Sequence, residues 1–338
     1  MNARRGPTPM TLSCTIADLP PPPPGRHGWP WTDDGAHADA SFENRTSWPR
    51  ISLVTPSFNQ GAYLEETIRS VLLQGYPNLE YHIIDGGSID ESVAIIRKYE
   101  PWLASWISER DRGQSDAINK GFARSSGEIF NWLCSDDLLE PRALHRVAKT
   151  FLQHPECGAV VGDCRCLYEH DPVRTGIRRS DVDRLQRSPF AAAIWQPSCF
   201  FRRELIARRQ LVLDDLHYCM DRELWCYLHQ QGAAWRHLPV SLSVNRFTGA
   251  NKSLTGKQKV IAEIDLLYRR YTRERLPLSA WLRHVWLPLV RVQKRHPSPV
   301  LRAGSRVLSS GVSLLLRTLY PVDRLKLLRA EYYGYEMW

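Results

Sequence analysis

The sequence predicts an α/β domain on a mostly parallel central sheet, and three observations carry that expectation. From Ile51 onward, short apolar runs alternate with segments of helical periodicity. The runs end in polar or glycine-containing turns, as strands feeding helices do. At 338 residues, 43% hydrophobic and 24% charged, the chain can bury a sizeable core. None of its apolar runs approaches the roughly 18 to 20 residues of a spanning helix. Strand and helix alternating at this spacing imply right-handed crossovers, and such sheets bind ligands beyond the carboxyl ends of their strands.

Residues 1 to 48 hold the run Pro20–Pro24 and no sustained apolar period, so a disordered or extended arm is expected there. The N-terminus has basic residues but no apolar h-region, which reads as cytoplasmic rather than secreted. ISLVT (51–55) is the first expected strand, followed by a helix with Leu64, Ile68, Val71 and Leu72 on one face. EYHII (80–84) is the second, and Ser88-Ile89-Asp90-Glu91 matches the capping box that opens a helix. LASWI (103–107) is a weaker strand, EIFNWL (128–133) a stronger one. Pro141 suits the first turn of a helix carrying Leu144, Val147, Ala148, Phe151 and Leu152, and GAVVG (158–162) follows as a strand.

The formal charge of +9 is unevenly placed. Residues 268 to 338 hold 14 Lys and Arg against 4 Asp and Glu, leaving the rest of the chain at 31 against 32. A neutral core with no recognisable binding motif argues against nucleic acid. The basic, Trp-containing extension fits an anionic membrane surface or a basic helical cover over the core. Leu308, Val312, Leu315, Leu316 and Leu319 form one face, with Arg306 and Arg317 opposite, a pattern that suits a membrane interface. Trp281 and Trp286 add an interfacial anchor. Eight cysteines lack a repeated C-x-x-C spacing, so reduced, buried thiols are expected, although Cys164 and Cys166 share one face of a strand.

Three strand ends carry chemistry. Thr55-Pro56-Ser57 leads into a helix and either holds a nucleotide or is an ordinary turn. Asp85-Gly86-Gly87 offers a carboxylate for a base or ribose beside glycines that let a ligand approach, or a tight turn. Ser135-Asp136-Asp137 sets two carboxylates side by side, a costly arrangement that a divalent cation, Mg²⁺ or Mn²⁺, would offset; a solvated acidic turn is the alternative. Neither a G-x-G-x-x-G fingerprint nor a phosphate-binding G-K-[ST] loop is present.

The stretches ISLVTPSFNQGAYLEETIRSVLLQGYPNLEYHIIDGGSIDES and SERDRGQSDAINKGFARSSGEIFNWLCSDDLLEP closely resemble the family 2 glycosyltransferases, and the likeness continues through QPSCFFRREL (196–205) and YCMDRELW (218–225). It implies a single glycosyltransferase A-type domain over 49–255, with the arm before it and a helical basic extension over 256–338. It also implies an inverting transfer from a nucleotide-diphosphate sugar, UDP-linked, to a hydroxyl of a saccharide or lipid-linked acceptor, in building cell-envelope polysaccharide at the cytoplasmic membrane face. By the same resemblance, Thr55, Pro56, Ser57 and Asp85 hold base and ribose, Arg112 and Asp116 line the donor pocket, Asp136 faces the ribose, Asp137 binds the metal and Asp221 is the general base. A carboxylate at Asp221 also suits a helix N-terminus, with Glu223 beside it.

One departure stands out. Where the family often has Arg-x-His, the chain reads Arg246-Phe247-Thr248, so the cation rests mainly on Asp136 and Asp137, with His217 or His237 as substitutes. The competing reading is a catalytically silent nucleotide-sugar-binding or assembly protein docked by its basic tail.

Overall fold

The computed structural model describes residues 14–35, 47–187, 194–206, 209–248, 251–252, 256–271 and 281–319. The chain divides into two compact units, the first ending at Gly249.

The first unit is built on a sheet whose described strands run in the order β3-β2-β1-β4-β8-β6-β9-β5. Its parallel half follows the sequence closely. β1 (Ile51–Ser57) is buried along its whole length and lies between β2 (Leu79–Asp85) and β4 (Ile129–Trp132), with β3 (Ser105–Ser108) outside β2. The other half is mixed. β8 (Cys199–Arg202) runs antiparallel to β4 and to β6 (Ala159–Tyr168), while β6 and β9 (Trp235–Phe247) pair in parallel over most of their length. The short β5 (Leu138–Leu139) pairs antiparallel with β9, and β7 (Gly176–Arg178) with β6. Of this half only the start of β6 was expected, as GAVVG; β8, β9, β5 and β7 were not, because they join it without the strand-helix alternation of the parallel half.

Helix α1 (Gly61–Leu72) buries Leu64, Ile68, Val71 and Leu72, the predicted face. α2 spans Ser92–Tyr99, and its start corrects the capping box: Ser88 Oγ donates to Asp85, and Asp90 instead accepts from the backbone N–H groups of Ser92 and Gly61. α3 (Gln114–Arg124) packs flush on β1, because Gly121 has no side chain to collide with Val54. α4 (Ala143–Gln153) begins after Pro141, not at it, since Arg142 adopts a left-handed conformation at φ 60° and sets the helix start one residue later. α5 (Val182–Arg187) and α6 (Met220–Gln230) complete the unit.

The N-terminal arm departs from a disordered expectation over residues 14–35. Leu19 and Trp31 are buried. Arg69, fully buried on α1, donates to the carbonyls of Pro20, Pro30 and Trp31 and to Tyr99 Oη, with its guanidinium 5.3 Å from the Trp31 ring centroid. A guanidinium without water is costly unless its donors are met, so the arm's carbonyls substitute for solvent. Trp29 Nε1 donates to the Leu139 carbonyl, tying the arm beside β5.

The second unit contains α7 (Lys257–Tyr271), a π-helical turn (Leu282–Trp286), α8 (Leu287–Arg295) and α9 (Pro299–Leu319). Val260, Ile264 and Leu267, at i, i+4 and i+7 of α7, are buried on one face. Gln293 Nε2 on α8 donates to Ser305 O and Ser309 Oγ on α9. α9 thus turns a partly polar face inward, with Ser305, Ser309 and Leu316 buried, and leaves Val300, Leu301, Val307, Leu308, Leu314 and Leu315 exposed. That splits the predicted face: Leu316 packs while Leu308 and Leu315 face solvent. Trp286, expected as an interfacial anchor, is buried. No helix among the described residues is long and apolar enough to cross a membrane.

His145 on α4 packs edge-on to Trp48 and Tyr76. Burial, with Arg142 adding to it, lowers its pKa to about 4. A folded value below the unfolded one gives stability that is full above the unfolded pKa and lost as pH falls. We predict a loss of about 2 to 3 kcal/mol between pH 7 and pH 4.5 from this group. Urea unfolding of wild type and His145→Phe at both pH values checks it: the variant should lose less stability on acidification.

Candidate functional site

The carboxyl ends of β1, β2 and β4 gather the candidate residues of the first unit. Ser57 and Asp85 are register partners at the ends of β1 and β2. Asp85 is wholly buried, and its carboxylate accepts from Gly87 N, Ser88 N, Ser88 Oγ and Ser108 Oγ. It therefore holds the glycine turn in shape. Thr55 is also buried and meets Tyr81 Oη at 2.9 Å, so its side chain braces β1 against β2. Pro56 is buried on the same strand. Ser57 is different: its hydroxyl is buried with no partner, a polar atom left for something that the protein itself does not supply.

Around the end of β3, Gly113 at φ 111° lets the chain turn sharply into α3. Arg112 then folds over the helix start, its Nη2 donating to Asp116 at 3.0 Å and to Asp214 at 2.9 Å. Burial would raise the Asp116 carboxyl, but hydrogen bonds from Arg112 and Lys120 outweigh it and hold it below the usual range. Asn119 fastens the same helix to residues 212 and 214. Arg112 and Asp116 thus form a unit of their own, braced by Asn119 and by Asp214, the latter marked by no motif in the sequence.

The acidic turn lies beyond β4. Asp137 N–H donates to Cys134 O at 3.0 Å, folding the turn back on itself. Thr67 on α1 donates to the carbonyls of both Ser135 and Asp137. Arg246 on β9 is the other clamp: its backbone N–H donates to Asp137 Oδ1 at 3.0 Å and its Nε to Asp136 O at 3.1 Å, while Glu66 and Glu169 accept from its terminal nitrogens. Arg246 opens the Arg246-Phe247-Thr248 segment singled out in the sequence, and both its backbone and its side chain are engaged at the turn. Thr67 carries no signal in the sequence beyond a buried helical position.

Burial, and then the neighbouring charge of Asp136, pushes the Asp137 carboxyl well above the ordinary carboxylate range. Asp136 is raised too, chiefly by desolvation. Positive charge brought beside such a pair favours its ionised form. One ligand atom each from Cys134, Asp136 and Asp137 lie within 4.8 Å of one another, so the donor set fits a divalent cation. The other suggested ligands do not converge. His237 is bonded to Asp163 at 2.7 Å, in the structural role that a lone histidine commonly has. Cys164 and Cys166 are buried in β6, and no cluster of possible metal ligands includes them among the described residues.

Asp221 lies in the first turn of α6, its Oδ1 accepting from Arg222 N–H at 2.7 Å. Its charge reaches the acidic turn: burial first, and then Asp137, Asp136 and Asp221, push the Cys134 thiol well above its ordinary pKa. Glu223, two residues on, is fully buried and held by two hydrogen bonds from Arg209, at 2.8 and 2.7 Å. The geometry separates the two carboxylates. Glu223 is half of a buried ion pair, whereas Asp221 sits where its charge is felt by the pocket.

Residues 52–219 match the family model described as Glycosyl transferase family 2. The chain belongs to this family. It is 44% identical over 93 residues to an uncharacterized glycosyltransferase of Mycobacterium tuberculosis, a stretch covering 27% of this chain and 36% of that protein. The match thus spans only about a third of that relative's length. A PGL/p-HBAD biosynthesis glycosyltransferase of Mycobacterium bovis is 28% identical over 266 residues, 75% of this chain and 94% of the relative. Among solved structures, the mannosyltransferase PcManGT of Pyrobaculum calidifontis, in complex with GDP-Man and Mn²⁺, superposes with a TM-score of 0.55 at 19% identity, over 86% of this chain and 87% of that one. TarS of S. aureus in complex with UDP-GlcNAc gives 0.55 at 15%, over 85% and 89%. At these identities the likeness establishes the fold, which is of the glycosyltransferase A type.

Proposed function

We propose that this family 2 chain transfers a sugar, with inversion at the anomeric carbon, from a nucleoside diphosphate sugar to an acceptor hydroxyl. The observation that carries the reading is the cluster of Asp136 and Asp137 with Cys134 just beyond the end of β4. A cation held by Asp136 and Asp137, Mg²⁺ or Mn²⁺, would supply the positive charge that a departing diphosphate needs. The protein does the rest. The unpartnered Ser57 hydroxyl receives a polar group of base or ribose, and the Asp85 turn shapes the floor under it. Arg112 and Asp116 form the wall, and Asp221 takes the acceptor proton as the new bond forms.

The fold neighbours are complexes with GDP-Man, UDP and UDP-GlcNAc, which supports a nucleotide sugar as donor class and leaves a uridine donor as our reading of the resemblance. A screen of nucleoside diphosphate sugars with Mn²⁺, read as a rise in melting temperature, tests the proposal by mass action. We expect one donor to stabilise the protein in a metal-dependent way and Asp137→Ala to abolish that shift; a variant that keeps the shift would move the cation elsewhere. Asp221→Asn should keep donor stabilisation and lose about 10² to 10⁴ in transfer rate, as removal of a positioned base does. Donor binding by wild type with no transfer to any acceptor would favour the silent binding protein that the Thr248 substitution suggests.

The acceptor class we propose is a saccharide or lipid-linked hydroxyl at an anionic membrane surface, in keeping with a relative named for PGL/p-HBAD biosynthesis. The exposed apolar stripe of α9, in an extension carrying 14 Lys and Arg against 4 Asp and Glu, supports this attachment. Binding to anionic vesicles should fall as salt rises and be weaker on neutral ones. Equal co-sedimentation of full-length protein and a version ending at Lys259, or none by either, would reassign the extension to a protein contact or a structural cover.

A further inference from the structure

The donor set at the acidic turn is not all oxygen. Of the eight cysteines, seven are buried and only Cys134 is partly exposed. Its Sγ shares a sphere of 4.8 Å with carboxylate oxygens of Asp136 and Asp137. Ligands opposite one another on a cation, each bonded at about 2.0 to 2.3 Å, lie about 4.0 to 4.6 Å apart, so closing the 4.8 Å cluster by a few tenths of an ångström brings all three within reach of a single ion. Two features hold the sulfur in place. The turn closes through Asp137 N–H to Cys134 O, which sets residues 134 and 137 side by side, and Gln114 Nε2 donates to the sulfur at 3.2 Å, fixing its rotamer.

We infer that Cys134 is a third ligand of the cation, making this a mixed thiolate and carboxylate site that prefers Mn²⁺, Co²⁺ or Zn²⁺ to Mg²⁺. The inference rests on the metal-assisted reading and adds a ligand to it. When the sulfur–metal bond forms, the thiol proton leaves to solvent and the sulfur binds as thiolate. A soft donor strengthens binding of the later first-row ions and does little for Mg²⁺, whose preference is for oxygen. Cys134 then supplies a donor that Thr248, with only a hydroxyl, does not match.

Cobalt tests this without any sugar or turnover. Titrating Co²⁺ into the full-length protein should give visible d–d bands that report uptake and, with them, a near-ultraviolet thiolate-to-cobalt charge-transfer band. Cys134→Ser should still take up Co²⁺, with affinity lowered about tenfold and the near-ultraviolet band gone, while its Mg²⁺ affinity changes by less than about threefold. Cys166→Ser, a buried thiol near the same turn, should keep the band. Uptake of Co²⁺ without the near-ultraviolet band, or a band that persists in Cys134→Ser, overturns the thiolate ligand and leaves the carboxylate site standing. No uptake of Co²⁺ or Mn²⁺ by wild type overturns the metal reading and this inference together.

Discussion

Holding Asp137 almost out of water beside a second carboxylate is the constraint on which the first unit's arrangement depends. At 4% exposure the carboxyl has little solvent to lean on, and an uncompensated charge there would be expensive. Support arrives from parts of the chain far apart in sequence: the Arg246 N–H from β9 bonds the carboxylate itself, while the Thr67 hydroxyl from α1 bonds the Asp137 backbone carbonyl and the β5–β9 pairing follows the turn. None of these neutralises the pair fully, because Arg246 also carries Glu66 and Glu169. The turn is rigid in its backbone and short of positive charge at its side chains, a combination that suits a site completed by a cation.

The same economy of parts governs the rest of the pocket. Asp85 and Asp90 join the loops after β1 and β2, with Asn59 N–H donating to Ser88 Oγ and Asn59 Oδ1 accepting from Ile89 N–H. Arg112, Asp116 and Asp214 lock the start of α3 to the segment that leads into α6 and Asp221. Side chains that resemble ligand-binding residues by position thus spend much of their hydrogen-bonding capacity on one another. Pre-ordering of this kind lowers the entropy that a bound ligand must otherwise remove.

The parallel half of the fold was legible because buried parallel strands are continuous apolar runs and their helices show a clean face, as Leu53 and Val54 on β1 and Leu64 and Ile68 on α1 do. The acidic turn and Asp221 were legible as motif positions. β9 was not, since Arg236, His237, Pro239 and Arg246 interrupt its apolar pattern and only its position between β6 and β5 makes it a strand. Ser88-x-x-Glu91 misled because a local pattern cannot show that Asp85 competes for the serine hydroxyl. The packed arm was hidden for a related reason: its proline run reads as extended chain, and what secures it is an arginine on a distant helix. Cys134 was seen only as one thiol among eight, since nothing in its spacing says that a turn will bring it beside Asp137.

Arg69 also bears on the order of events during synthesis. The carbonyls of Pro20, Pro30 and Trp31 leave the ribosome first, but the guanidinium that gathers them is residue 69 and Tyr99 must follow to share it. The contact between Trp29 and Leu139 waits for 110 further residues. This early segment is secured late, and until then Arg69 on α1 and the Leu139 carbonyl lack these partners. A nascent chain stalled before Leu139 would present Trp29 and Trp31 to solvent, where a chaperone that recognises apolar segments would find them.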